Sequence, residues 1–189
     1  MINQTSKIDR FYRLVQNRTK ENMESVDILI NSRNYSVAIG LLRQEIDTFI
    51  RLVYLAKVSD DEAKRLITDI VDGQQWKHKS GNGGRITDRE MVNEAKQQYF
   101  WVEISYEFGC RLIHLSEFHD YENIDPFTRI SFTDKKEIIS YLKSYHGYIE
   151  TDIDIERFIA LLPKVMKKIQ DKVVEYNDQL SKRLTKKIE

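Results

Sequence analysis

Four side chains able to move protons or hold anions recur at helical spacing in one stretch: Glu103, Glu107, Arg111 and His114. Turned at about 100° per residue they form one narrow band, each three or four residues from the next. Histidine titrates near neutral pH, and a carboxylate or guanidinium beside it sets its proton state for acid–base work. His119 lies beyond the band. On a straight helix its ring would point about 140° away from that of His114, so it joins the site only if the chain folds back. A structural reading stands beside the chemical one: Glu107 pairs with Arg111, His114 ends the row, and Glu45 reaches across from another helix to complete an ion-pair network. The flanking residues sharpen the question. Trp101, Ile104, Phe108, Leu112 and Leu115 fall on one broad side, and Val102, Tyr106 and Ile113 fall opposite. Such a helix is ordinarily central, and charges on it must be paired or hydrated.

Other constellations are weaker. Cys110 and His114 share a face at four-residue spacing, as a thiolate–imidazole pair would, although a lone cysteine on a core helix also serves as a small apolar group. A di-iron centre in a helical bundle needs Glu-x-x-His on two helices, and the chain has none. The segment Lys77 to Arg85 is rich in glycine but lacks the Gly-Lys-Ser/Thr of a phosphate loop and follows a helix. It reads as a flexible connector whose Lys77, Lys79 and Arg85, with Arg89, could touch phosphate. His78 belongs to it. His146 stands beside Gly147 at a helix end, where a positive ring is favoured. No pattern asks for a cofactor or a metal.

The elements that must position these groups are helices. The first runs from near Ser6 to about Ser32 with a thin apolar face, and the second, Tyr35 to Lys57, is richer: Ala38, Leu41, Leu42, Ile46, Phe49, Ile50 and Val53. A third opens on the acidic Ser59-Asp60-Asp61-Glu62 and ends before Gly73, a start that complements the helix dipole. Thr87-Asp88-Arg89-Glu90 is a capping box, from which one long helix is expected to reach about Phe118. His119 to Phe132 reads as an ordered loop whose aromatics (Tyr121, Phe127, Phe132) need packing partners. A short helix opens at Thr133 and closes at Gly147. The last, Asp154 to about Lys186, is interrupted by Pro163; beyond it Met166, Ile169, Val173, Tyr176 and Leu180 form a coiled-coil-like seam.

Composition agrees. The chain has 189 residues, enough for one well-buried domain spanning 1–189. With 41% hydrophobic residues it can fill a core, and 7 glycines and 2 prolines are too few for an all-β architecture. The fold class expected is all-α, a helical bundle of five to seven helices. One cysteine excludes an internal disulfide framework, and the compartment expected is cytoplasmic, with no leader at the N-terminus and no apolar run that would span a membrane. The formal charge is zero, yet Glu103 to Asp154 carries a net −6 and Leu161 to Glu189 a net +4. That asymmetry can orient a protein partner, or a second copy of the chain, through the C-terminal helix.

The second helix, Ala38-x-x-Leu41-Leu42-Arg43-x-Glu45, resembles a helix of the HEPN superfamily of bacterial all-helical proteins. The run Phe108-Gly109-Cys110-Arg111-Leu112-Ile113-His114-Leu115-Ser116-Glu117-Phe118-His119 resembles the stretch where such proteins place their arginine and histidine. The likeness spans about a third of the chain. It implies a helical bundle, often dimeric, acting in antiphage or toxin–antitoxin systems as a metal-independent endoribonuclease. Arg111, His114 and His119, with Glu107 beside them, would then assist attack of a ribose 2′-hydroxyl on the adjacent phosphate. The superfamily's arginine-to-histidine spacing is intermediate between the two present here: two residues separate Arg111 from His114, and seven separate it from His119. The alternative is a non-catalytic interaction module that uses the seam or the basic helix.

Overall fold

The second helix is buried on nearly every side, and the fold is built around it. The computed structural model describes residues 4–79 and 83–185, and among these there are seven α-helices and no sheet. They are α1 (Gln4–Asn31), α2 (Tyr35–Lys57), α3 (Asp60–Val71), α4 (Asp88–Lys96), α5 (Trp101–Ile113), α6 (Phe132–His146) and α7 (Ile155–Thr185), with 3-10 turns at Glu117–His119 and Pro126–Thr128. The all-α bundle expected from composition is the fold found. No described helix is long and apolar enough to cross a membrane.

Helix α2 lies against α1, α4, α5 and α7. Ile39, Ile46, Phe49, Ile50 and Leu55 are fully buried at its contacts, each side chain of this size contributing roughly 1.5–3 kcal/mol when removed from water. The seam of α7 is spent on the same core. Met166, Ile169 and Val173 are 0% exposed and Leu180 is 4% exposed, and α7 packs on α1 and α2. The expectation that this seam would receive a partner is therefore corrected: its partner is the protein's own bundle. Pro163 does not interrupt α7 either, which continues through it to Thr185.

The capping box forms as the local sequence requires. The Glu90 amide donates to Thr87 Oγ1 at 3.3 Å, and the Thr87 amide donates to Glu90 Oε2 at 2.6 Å. The single long helix expected after it is two, broken at Gln97–Phe100. The break serves the core. Tyr99 meets Phe49 edge-on at 5.0 Å while Trp101 stacks on Phe49 at 5.7 Å. On an unbroken helix residues two apart point about 200° from each other and could not share that contact.

Helix α5 stops at Ile113, short of Phe118, for a comparable local reason. Ser116 Oγ donates to the Arg111 carbonyl at 2.5 Å, occupying the acceptor that the Leu115 amide would need to continue the helix. His114 is already extended, at φ −99 and ψ 143. Leu115, assigned to the buried side of a longer helix, is 98% exposed as a result. Phe118 is carried inward, 6.2 Å from Phe108. In the following loop Phe127 is buried and Tyr121 packs on Tyr35, but Phe132 is 72% exposed and opens α6, whose cap is Ser131. The glycine segment is ordered at both ends: Trp76 and Ile86 are buried, and Lys77 and Arg85 form an isolated antiparallel bridge. Its centre, residues 80–82, lies outside the described residues, so the flexible-connector expectation is corrected only for the flanks.

One glycine sets the α2–α5 spacing. A Cβ on Gly109 would fall 2.8 Å from the Arg43 Cβ, an atom fixed to the α2 backbone. Gly109→Ala is expected to push the helices apart and cost about 1–3 kcal/mol, read as a lower urea midpoint with an unchanged slope. An unchanged midpoint would contradict this packing.

Candidate functional site

The charged band on α5 faces water rather than the core. Glu103 and Glu107 are drawn to α4: Arg89 Nη2 is 3.3 Å from Glu103, Arg89 Nη1 is 2.8 Å from Glu107, and Lys96 is 3.0 Å from Glu103. Glu107 thus pairs with Arg89, not with Arg111 as its spacing suggested, because the turn after α4 lays the two helices side by side. Arg111 is 44% exposed; its nearest carboxylate is Asp134 at the start of α6, at 3.9 Å, and its guanidinium lies 5.4 Å from the Phe118 ring centre. Glu45 takes no part in the band. Fully buried on the opposite side of α2, it accepts hydrogen bonds from Asn22 at 2.6 Å and Thr19 at 3.1 Å.

His114 and His119 are both exposed. His114 closes α5, its amide donating to the Cys110 carbonyl. His119 is folded back by the turn at Ser116. Its Nδ1 lies 3.4 Å from the Ser116 amide nitrogen and 3.3 Å from the Ser116 carbonyl oxygen. The backbone therefore meets that nitrogen in either proton state: the amide donates to a bare Nδ1, and a protonated Nδ1 donates to the carbonyl. The other ring nitrogen, Nε2, has no hydrogen-bond partner among the described residues. A histidine tethered at one nitrogen and open at the other is suited to passing a proton outward. Arg111, His114 and His119 thus share one short segment, with Arg111 O, Ser116 and His119 linked in sequence by hydrogen bonds. Cys110 turns away from His114 and accepts from Arg43 Nε at 3.3 Å, so the thiolate–imidazole arrangement is not formed.

A second polar cluster went unread in the sequence. Arg43, 8% exposed, lies 3.7 Å from Asp88, and its guanidinium carbon sits 3.5 Å above the Tyr106 ring centre. Arg51 reaches the other Asp88 oxygen at 3.1 Å, and Tyr106 donates to Asp88 at 3.1 Å. Burial pushes the Tyr106 hydroxyl well above its ordinary value, only partly offset by Arg43, so it stays protonated and donates. Arg43, Arg51 and Tyr106 each have a partner here, as expected of a structural clamp joining α2, α4 and α5. An arginine among the apolar positions of α2 was its one visible signal.

Comparisons with family models, with curated proteins and with solved structures find no match to this chain.

Proposed function

We propose that the end of α5 and the turn after it form a metal-independent RNA-cleaving centre, with Arg111, His114 and His119 as its working groups. The observation that supports this best is the early end of α5, which leaves three ionisable side chains exposed on one segment and His119 tethered only at Nδ1. In the reaction, one imidazole takes the proton of a ribose 2′-hydroxyl as its oxygen attacks the adjacent phosphorus. The other gives a proton to the departing 5′-oxygen, leaving a cyclic 2′,3′-phosphate and a free 5′-hydroxyl. Arg111, loosely held by Asp134, is free to pair with the non-bridging oxygens, whose charge grows in the transition state. Glu107 keeps Arg89 and supports α5 from outside this centre. A bacterial defence or toxin–antitoxin role, with a cytoplasmic location, extends the same resemblance.

The test is incubation of the purified protein with mixed RNA, with and without chelator. Cleavage is expected to survive chelation and to fall by about 10²–10⁴ in His114→Ala or His119→Ala, the usual worth of a positioned acid or base. Cleavage at the original rate in both variants would sink the proposal. A second reading uses the same place differently. Ile113 and Leu115, 47% and 98% exposed on either side of His114, offer apolar contact to a protein partner. A stable complex lost on Leu115→Asp, with no RNA cleaved, would favour it.

A further inference from the structure

Between the last turn of α6 and the middle of α7 lies an open groove lined by Tyr145, His146, Lys164, Lys167, Lys168 and Asp171. Its charge is unbalanced. Lys164, Lys167 and Lys168 stand at positions i, i+3 and i+4 of α7, one face of a helix, where like charges repel. Lys167 is paired with Asp171, and the neighbouring Lys172 with Glu175 at 2.7 Å. Lys164 and Lys168 have no carboxylate at ion-pair distance among the described residues. Lys168 instead rests over the Tyr145 ring, 3.8 Å from its centre, and burial followed by the Lys172 charge lowers its pKa.

His146 registers the same imbalance. A ring at a helix C-terminus is ordinarily favoured as a cation, which was the expectation here. Burial first, then Lys168 and Lys164, lower its pKa to about 4. Its Nε2 is buried without a hydrogen-bond partner, beside the Tyr141 ring at 5.1 Å. Two unpaired ammoniums thus flank an imidazole held neutral, and an anion in the groove would relieve all three. Ammoniums one helical turn apart, each with rotatable donors, suit the several oxygens of a phosphate. Beside them Tyr145 and Phe100, 42% and 53% exposed with ring centres 6.1 Å apart, offer aromatic surface to a base.

We propose that this groove binds a phosphate of an RNA strand, with Lys164 and Lys168 as the principal contacts and Tyr145 and Phe100 beside the adjoining base. Lys167 is a third contact, released from Asp171 when the strand arrives. This rests on the RNA reading given above, of which the groove would be the strand-holding part, apart from Arg111, His114 and His119.

The test is a titration of a fluorescent single-stranded RNA at several salt concentrations, with inorganic phosphate and adenosine monophosphate as competitors. The double variant Lys164→Gln/Lys168→Gln is compared with Lys20→Gln/Lys182→Gln, which removes equal charge elsewhere. The groove variant is expected to bind at least tenfold more weakly, with a salt slope reduced by about 0.7 for the one phosphate no longer neutralised. The control is expected to stay within twofold of the parent. Equal weakening in both variants, or in neither, overturns the groove while leaving the cleavage proposal standing. If the parent binds no RNA, the assignment of the groove to an RNA strand is overturned; if it binds RNA without cleaving it, the cleavage proposal alone fails.

Discussion

Asp88→Ala is expected to lower the melting temperature by about 10 °C. Asp88 stands at the first position of α4, where a carboxylate also complements the helix dipole. Its two oxygens serve Arg51, Tyr106 and Arg43 together. Arg51 has a second partner in Asp47 at 3.2 Å and can turn to it. Arg43 cannot compensate in the same way: its side chain is 8% exposed, fixed between Gly109 and the Tyr106 ring, with Cys110 as its other acceptor. Leaving a nearly buried guanidinium without its carboxylate costs about 3 kcal/mol, the lower end for a broken buried pair, because Asp88 keeps some contact with water. For a chain of this length that is about 2–4 °C per kcal/mol. Asp88→Asn, which retains an acceptor but no charge, should lose about half as much. A double-mutant cycle with Arg43→Met isolates the pair. A coupling energy near zero would show that Arg43 is held by the aromatic ring and the thiol alone.

The same cluster explains how much the sequence disclosed. Features set by a few adjacent residues were legible: the Thr87–Glu90 capping box, the acidic start of α3, the αL closure at Gly147 and the buried face of α2. Periodicity reports which face of a helix avoids water. It is silent on which chain covers that face, so the α7 seam read as a docking strip although the bundle itself covers it. It is equally silent on where a helix ends when a side chain competes for the backbone. Leu115 continues the apolar period of α5, and only the Ser116 hydroxyl on the Arg111 carbonyl reveals that the helix has stopped. Ion pairs follow the same logic. Four-residue spacing permits Glu107 to meet Arg111, but the turn at Gln97–Phe100 brings Arg89 closer, and that approach is a tertiary fact. The exposure of the three candidate catalytic residues depends on both of these non-periodic events.

Glu45 carries the other large effect, and its direction depends on what replaces it. It is 0% exposed, with Asn22 and Thr19 of α1 donating to its two oxygens. Burial raises its pKa above the ordinary 4.5, the two hydrogen bonds and the more distant Arg18 offsetting this only in part. A carboxyl whose folded pKa is raised holds its proton more tightly in the native state. Stability therefore falls as pH climbs from about 4.5 through the raised value, and the cost remains above it. Glu45→Gln keeps the shape and an acceptor for Asn22, with Thr19 turning its hydroxyl to accept, and removes the charge. Its stability is expected to equal or exceed the parent's at pH 7, with the gain disappearing as pH falls below 4.5. Glu45→Ala leaves a cavity between α1 and α2 and two buried donors unmet, at about 1–3 kcal/mol for each polar group. The alanine variant should lose about 3 kcal/mol or more at every pH. Urea melts of the three proteins at pH 4 and pH 7 distinguish the cases. If glutamine were as damaging as alanine at pH 7, the ionised carboxylate itself would be holding α1 to α2, and the buried acid would be an anchor by its charge rather than by its hydrogen bonds.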